Sequence, residues 1–291
     1  MSIITFPRPP KGFNPKTASH TLLAQHGFPR RPDAKTEPGL RRLWDRAFDR
    51  NPTFIEPGMV KNKLWHSTPR KVWLDNKFNL IGNWAGGIVQ VSSLNLNPPE
   101  PATMVYAEWT VPAIQTAAVE PGQQIIGFWV GLGGVNSLQL LQAGTAAVVT
   151  GNAVNYSAWT EWLPNNATPD NLIIQAGDVV SVLVCAPQAT QGYVSMMNQR
   201  TNQAISVAVA DPQGATPYDG STVEWIVESI SSEMPNFGTM TFTEVTAGTQ
   251  NNTIDLSRAF AINTISNGKT LATGKILGPQ NDVQVVWNAA I

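Results

Sequence analysis

The stretch Thr222-Val223-Glu224-Trp225-Ile226-Val227-Glu228 alternates between two kinds of side chain, which predicts a β-strand. Successive side chains of a strand point to opposite faces, so one face is predicted to enter a core. That face carries Val223, Trp225 and Val227. The opposite face places two carboxylates together, because it carries Thr222, Glu224, Ile226 and Glu228. A half-buried strand with a solvated polar face is the ordinary interpretation of such a pattern.

The sequence on both sides of this stretch also consists of short apolar runs separated by turn-forming residues. Eleven short runs rich in Val, Ile, Thr and aromatic residues lie between residues 87 and 287, separated by clusters of Gly, Pro, Asn and Asp. Helical periodicity is almost lacking after residue 80. Many short strands between turn signals predict an all-β sandwich or barrel over residues 79–291.

The composition describes an ordinary folded protein. The chain has 291 residues, of which 42% are hydrophobic and 13% charged. No run approaches the roughly 18 to 20 apolar residues of a membrane span, and the first ten residues lack the apolar core of a secretory signal. We therefore expect no association with a membrane. Cys185 is the only cysteine, which excludes an internal disulfide and a cysteine metal cluster.

The charge is distributed unevenly along the chain. Residues 1–80 hold 15 Lys and Arg against 6 Asp and Glu, a balance of +9. The remaining 4 Lys and Arg face 14 Asp and Glu in residues 81–291, a balance of −10. We therefore treat residues 1–78 as a separate basic region, mostly irregular because of its prolines. Apolar residues at helical spacing predict one short helix from Gly39 to Phe48. No nucleic-acid module accompanies the basic charge, so an intramolecular acidic partner is the simpler interpretation.

The position of the histidines restricts the chemistry of the β domain. All three histidines lie in the basic region, at residues 20, 26 and 66. A Ser-His-Asp or Cys-His arrangement and a histidine-ligated zinc site therefore cannot form within residues 81–291. Glycine-rich phosphate-binding motifs are also missing. If this domain is catalytic, carboxylates or a neutral amide must supply the acid and base, most naturally at acidic pH unless burial raises their pKa values.

Seven short motifs occur in a characteristic order along the domain. They are Asn83-Trp-Ala-Gly-Gly, Ala107-Glu-Trp-Thr-Val-Pro, Phe128-Trp-Val-Gly-Leu-Gly-Gly, Leu140-Leu-Gln-Ala-Gly-Thr, Ala158-Trp-Thr-Glu-Trp-Leu-Pro, Ile174-Gln-Ala-Gly-Asp and Val223-Glu-Trp-Ile-Val-Glu. Each motif alone is weak. In this order, over about residues 79–245, the set resembles the glutamic peptidases, or eqolisins.

The resemblance implies both a fold and a mechanism. The fold is a concanavalin-like β-sandwich of two antiparallel sheets. The glutamine of the Leu-Gln-x-Gly motif matches Gln142, and the second glutamate of the Glu-aromatic-Ile-x-Glu motif matches Glu228. In that scheme Glu228 takes a proton from water, and Gln142 donates an N–H to the developing oxyanion. The substrates are proteins or peptides, and no metal or other cofactor is expected.

Other matches and departures concern the surroundings of that pair. Trp129, Trp159 and Glu161 match family residues near the cleft, and Glu224 is a further supporting candidate. Core packing is the preferred interpretation for the tryptophans at 84, 109, 162 and 225. Gly133 stands where the family motif often has Asp, and Leu163 stands where an aromatic residue is usual.

The resemblance also gives the basic region an expected role. Familiar members carry a basic prosegment before the Asn-Trp motif, so residues 1–78 are expected to cover the cleft by charge attraction. Acidification would weaken that attraction and permit self-cleavage near Lys71–Leu80. We expect a monomeric zymogen that acts outside the cell or in an acidic compartment, although no signal peptide is recognisable.

Three other classes of function stay open at this point. The same sandwich and its tryptophans would suit a carbohydrate-binding module. A glycoside hydrolase would use Glu161 and Glu228 as its carboxylate pair, with their separation setting the stereochemical outcome. An inactive relative would use the sandwich as a partner-binding surface. Neither lectin nor glycosidase chemistry requires Gln142.

Overall fold

The computed structural model describes residues 3–4, 6–58, 82–116, 123–135, 137, 139–212, 218–231, 234–278 and 281–288. Two helices lie in the N-terminal region, α1 (His20–Gln25) and α2 (Pro38–Ala47). The strands are β1 (Ile3–Ile4), β2 (Thr53–Phe54), β3 (Trp84–Gln90), β4 (Ala102–Thr110), β5 (Gln123–Gly133), β6 (Leu140–Thr150), β7 (Ala153–Trp162), β8 (Thr168–Asp170), β9 (Val179–Gln188), β10 (Gln191–Asn198), β11 (Gln203–Ala210), β12 (Thr222–Ser229), β13 (Thr239–Thr249), β14 (Thr253–Ile254), β15 (Phe260–Ser266), β16 (Lys269–Leu277) and β17 (Asp282–Trp287).

Two antiparallel sheets make up the sandwich. The front sheet has the strand order β15–β3–β12–β5–β6–β7–β8. The back sheet has the order β14–β13–β4–β9–β10–β11. Two short strands of the N-terminal region, β1 and β2, pair with the edge strand β11. They cover an edge that would otherwise present unpaired backbone groups.

The C-terminal strands close one side of the sandwich. β15 pairs with β3 through its first residues and with β16 through its last ones. β16 pairs with β17, and β17 pairs with the first half of β13. Because β13 continues into the back sheet, the front and back sheets are joined through these strands.

The space between the sheets holds the main hydrophobic core. Val223, Trp225 and Val227 of β12 lie in it and are fully buried. Ile226 belongs instead to a cluster on the outer face of the front sheet. The alternation along β12 thus forms two faces as predicted, and the predicted all-β sandwich is confirmed. No helix among the described residues is long and apolar enough to span a membrane.

The N-terminal region packs on the outer face of the back sheet. An aromatic cluster of Phe13, Phe28, Trp44, Phe48 and Phe54 rests on side chains of that sheet. The ring centroids of Phe28 and Phe54 are 5.2 Å apart, and those of Trp44 and Phe48 are 4.6 Å apart. The back-sheet residues in contact are Met104, Tyr106, Leu183, Cys185, Met197 and Ala204. This region is therefore part of a second hydrophobic core.

One expectation for the basic region needs correction. It contains a second helix, α1, which is only six residues long and is capped by the Ser19 hydroxyl, so it gave no periodic signal. Its aromatic residues pack against the back sheet, and Glu56 and Gly58 form hydrogen bonds with Asn171 just after β8. Among the described residues, Arg46 also forms an ion pair with Glu244 of the sandwich. Residues 59–78, which belong to the region expected to cover the cleft, lie outside the described residues. The expected cleavage segment near residues 71–80 lies outside the described residues.

Candidate active site

A row of residues crosses the outer face of the front sheet. Glu224 on β12 lies opposite Gly131 on β5, Gly131 lies opposite Gln142 on β6, and Gln142 lies opposite Glu161 on β7. We call these four residues the polar row. Opposite residues of antiparallel strands point to the same face, so the three polar side chains share one surface. Gly131 has no side chain, and Leu140 and Trp129 occupy the space over it, since a Cβ there would lie 2.9 Å from Leu140 Cδ1 and from Trp129 Cζ3.

Gln142 is held by its neighbour on β7. Its Nε2 donates a hydrogen bond of 2.5 Å to Oε2 of Glu161. Both residues are buried, with 3% and 2% of their surface exposed. This bond fixes the orientation of the amide and leaves a second hydrogen on Nε2. The Oε1 of Gln142 accepts no hydrogen bond from the described residues.

Glu224 is the buried carboxyl group of this face. It is fully buried, and neither of its oxygens accepts a hydrogen bond from the described residues. Burial raises the pKa of Glu224 well above its ordinary value; the nearby Thr222 hydroxyl opposes this shift, and the negative charge of Asp219 adds to it. An unpaired buried carboxyl group is costly for stability, so its presence points to a functional role.

Glu228 has a different environment. Its Oε1 accepts a hydrogen bond of 2.9 Å from Nδ2 of Asn83, and its Oε2 accepts one of 3.1 Å from Nε1 of Trp129. The same Asn83 amide donates to the carbonyl oxygen of Ser229 at 2.7 Å. The Glu228 carboxylate therefore connects the indole ring of Trp129 with Asn83, the residue just before β3.

The strand register separates Gln142 from Glu228. Glu228 lies opposite Gly127, whereas Gln142 lies opposite Gly131, four residues further along β5. At about 3.4 Å per residue and 4.8 Å per strand, their Cα atoms are roughly 16 to 17 Å apart, against about 10 Å for Gln142 and Glu224. The structure therefore does not bring together the pair that the sequence predicted, because a strand pattern gives the face of a residue but not its register.

The same geometry bears on the glycosidase alternative. Glu161 is one strand further from β12 than Gln142, in the same row. Its Cα is therefore roughly 20 Å from that of Glu228 on the same strand spacings. Glycosidase carboxyl groups lie about 5 to 10 Å apart. Glu161 and Glu228 do not form such a pair.

The tryptophans divide between the two faces of the front sheet. Trp129 and Trp159 lie on the outer face, in the row next to the polar row. The tryptophans at 109, 162 and 225 are packed in the inter-sheet core, as predicted. Trp84 is also packed in a hydrophobic core, as predicted, but in the cluster on the outer face of the front sheet. Its ring packs edge-to-face on Trp129, with centroids 4.8 Å apart.

Two residues of the site were missed as functional candidates. Gly131 appeared in a motif without a role, since its place between Glu224 and Gln142 depends on the register. Asn83 also stood in a quoted motif, and its contact with Glu228 joins residues 145 positions apart. The described residues contain no group of three His, Cys, Asp or Glu side chains arranged to hold a metal ion.

A β-sandwich that carries a buried amide and carboxyl groups on one outer sheet face is typical of a hydrolase that works through side-chain acid–base chemistry. Comparison with known proteins agrees with that class. The family model described as the Peptidase A4 family matches residues 82–287. The chain therefore belongs to the Peptidase A4 family, whose members are glutamic endopeptidases.

Relatives support this assignment. Aspergillopepsin-2 of Aspergillus niger is 24% identical over 227 residues, covering 70% of this chain and 77% of the relative. The crystal structure of scytalido-glutamic peptidase with a transition state analog inhibitor has a TM-score of 0.60 at 20% identity, covering 71% of this chain and 98% of that one. Aspergilloglutamic peptidase from Aspergillus niger has a TM-score of 0.51 at 25% identity, covering 56% and 99%.

Proposed function

We propose that this endopeptidase hydrolyses peptide bonds in proteins in acidic solution, with Gln142 and Glu224 as its reacting pair. The observation that supports this most directly is the polar row. It sets the two side chains on the same face, on either side of a residue without a side chain. Leu140 and Trp129 lie over Gly131 in the intact chain, so a water molecule and the carbonyl group that it attacks would enter between Gln142 and Glu224 only when the chain opens.

In the proposed reaction, Glu224 acts first as a base and then as an acid. As a carboxylate it takes a proton from water, and the resulting hydroxide attacks the carbonyl carbon of the peptide. The free hydrogen on Nε2 of Gln142 is donated to the developing oxyanion. Glu224 then returns the proton to the leaving amine, so the enzyme ends in its starting state. Glu161 keeps Nε2 aimed at the oxyanion position through its hydrogen bond.

Glu228, the glutamate that the sequence suggested, receives a supporting role in this proposal. Among its hydrogen bonds are those to Trp129 and Asn83. Trp129 lies over Gly131, because its Cζ3 is 2.9 Å from the point where a Cβ on residue 131 would lie. Loss of Glu228 should therefore disturb the wall of the site and leave the reacting pair in place.

The pH dependence follows from the ionisation of Glu224. The carboxylate needed for the first step is lost as the pH falls through the pKa of Glu224, which burial raises. We therefore expect the rate to fall on the acidic side at a higher pH than an ordinary glutamate would give. Outside the cell or in an acidic compartment, the chain would meet weakly acidic conditions that suit this group.

We also propose that the intact chain is a precursor. Gln142, Glu161 and Glu224 are almost completely buried, so a substrate can reach them only after a structural change that exposes them. Self-cleavage between the N-terminal region and the sandwich, in acid, is the change that we expect. Its substrate is a segment of the same chain, and the mature enzyme then acts on other proteins.

The test compares the full-length chain with Glu224→Gln and Glu228→Gln, using an unfolded protein as substrate over the acidic pH range. We expect Glu224→Gln to lose at least a thousandfold in kcat, because it removes the proton acceptor. Glu228→Gln should retain measurable activity, with a loss on the order of tenfold. Intact mass after acid incubation should show self-cleavage in the parent and in Glu228→Gln, but not in Glu224→Gln.

Thermal unfolding provides the folding control. Glu224→Gln removes an unpaired buried carboxyl group, so its Tm should equal or exceed that of the parent. An inactive Glu228→Gln beside an active Glu224→Gln, both folded, would overturn the assignment of the pair. A parent that cleaves neither itself nor the added substrate at any acidic pH would contradict the proposed reaction.

A further inference from the structure

Residue 133 is a place where this chain cannot carry a side chain. Gly133 has a φ of +86°, in the left-handed region that favours glycine. A Cβ at this position would lie 2.6 Å from the backbone carbonyl oxygen of Gln139, which is closer than real Cβ atoms approach. The aspartate that often occupies this motif position therefore does not fit the backbone of this chain.

A carboxylate from elsewhere in the chain lies beside that position. Oδ1 of Asp219 is 3.8 Å from the point where the Cβ of residue 133 would be. Asp219 belongs to the loop that leads into β12, and its Oδ1 accepts a hydrogen bond of 3.0 Å from the backbone N–H of Ser221. The side chain is exposed, so its charge faces the solvent at one end of the sheet.

The position of Gly133 connects Asp219 with the reacting pair. Gly133 and Gly131 are two residues apart on β5, so they share a face and lie about 7 Å apart along the strand. Gly131 is the residue opposite Glu224. We propose that Asp219 supplies the carboxylate that position 133 cannot carry, and that its negative charge tunes the ionisation of Glu224. This inference rests on the proposed function of Glu224.

The charged surroundings of Glu224 support this role. A like charge nearby disfavours a carboxylate, and Asp219 adds to the effect of burial in raising the pKa of Glu224. Ile88 and Gly131, its neighbours on β3 and β5, do not titrate. Glu161 is separated from Glu224 by Gln142 in the row. Tyr218 is buried and donates its hydroxyl to the carbonyl oxygen of Ala102 at 2.6 Å. Asp219 is thus the exposed group whose charge can be removed with least disturbance of the fold.

The test compares Asp219→Asn with Asp255→Asn. Oδ1 of Asp255 accepts the same kind of bond, from the N–H of Ser257 at 2.8 Å, and Asp255 is also exposed. Asparagine keeps the accepting oxygen in both variants, so only the charge changes. We expect the acidic limb of the kcat profile to move to lower pH in Asp219→Asn and to stay in place in Asp255→Asn. On that limb the kcat of Asp219→Asn should be about threefold higher than that of the parent.

A second measurement does not depend on activity. The infrared band of the protonated Glu224 carboxyl group is obtained by difference against Glu224→Gln, and its pH titration is followed in each variant. We expect a lower midpoint in Asp219→Asn alone. If both aspartate variants titrate like the parent, the inference is overturned, whether or not the chain cleaves peptides. If the parent is inactive but the midpoint moves, the coupling stands and the proposed reaction fails.

Discussion

Gln142 owes its orientation to one contact, the hydrogen bond to Glu161. A charged acceptor makes such a bond roughly twice as strong as a neutral one. The free hydrogen on Nε2 therefore points to the same place in every molecule, and the amide is ready before the oxyanion forms. Glu161 is a positioning residue in this scheme, since it acts through Gln142.

Glu161→Gln is expected to lower kcat on the order of tenfold and to leave KM almost unchanged, because it weakens orientation of the amide without altering the substrate contacts. Glu161→Ala should lose more, since no acceptor is left for Nε2. Steady-state kinetics at several pH values measures both variants. A rise in KM with kcat unchanged would assign Glu161 to substrate binding instead.

At this scale the sequence predicted the residue types and the faces but not the pairing. Alternation places Glu224 and Glu228 on one face, and both lie in the quoted motif. Only the register tells which of them lies opposite Gly131, and the register depends on contacts between distant strands. No sequence pattern indicated the proposed role of Asp219, because the loop before β12 and residue 133 come together only in the folded chain.

At the scale of the strand, β5 carries two glycines on the outer face of the front sheet, Gly127 opposite Glu228 and Gly131 opposite Glu224. A Cβ on Gly131 would lie 2.9 Å from both Leu140 Cδ1 and Trp129 Cζ3. A Cβ on Gly127 would find Trp129 Cδ1 at 3.4 Å and Trp159 Cζ2 at 3.7 Å, which is ordinary contact. The two positions therefore form a matched pair on one strand.

Gly131→Ala is expected to reduce kcat at least tenfold, because the added methyl group would displace Leu140 or Trp129 next to the reacting pair. Gly127→Ala, beside Glu228, should stay within about threefold of the parent, since ordinary contact costs little. Kinetics and Tm are measured on both variants. The reverse order of activities would favour Glu228 as the reacting glutamate.

The strands themselves were predictable where apolar residues are dense. Each of the eleven runs corresponds to a strand, but four described strands after residue 80 were missed: the short β8 and β14, and the longer β10 and β16. β10 contains Gly192, Asn198 and two methionines, and β16 begins with polar residues. Each is held by hydrogen bonds to a strand on both sides, so tertiary pairing overrides weak intrinsic preference.

At the scale of the whole molecule, the N-terminal region and the sandwich share a hydrophobic core. Trp44 is fully buried in it, and its Nε1 finds no acceptor among the described residues. Composition revealed the charge of this region but not the surface that it covers. The aromatic residues decide its position, because they meet the outward side chains of the back sheet.

Trp44→Ala is expected to destabilise the protein by about 3 to 5 kcal/mol, which lowers Tm by about 10 °C. Trp44→Phe keeps most of the ring and removes the unpaired N–H, so it should stay within about 1 kcal/mol of the parent. Calorimetry should show one transition in each case. A separate early transition with the main one unmoved would indicate that the region folds independently.

The placement of the single cysteine follows from this shared core. Cys185 points outward from β9 into the aromatic cluster, is 1% exposed, and has a thiol pKa raised by burial far above its usual range. A thiol that is both covered and protonated does not react with alkylating reagents. Cys185 can therefore serve as a covalent probe of the N-terminal region. Modification of its thiol would show that this region has left the back sheet. Protection of the thiol after cleavage would show that the cleaved region is still bound there.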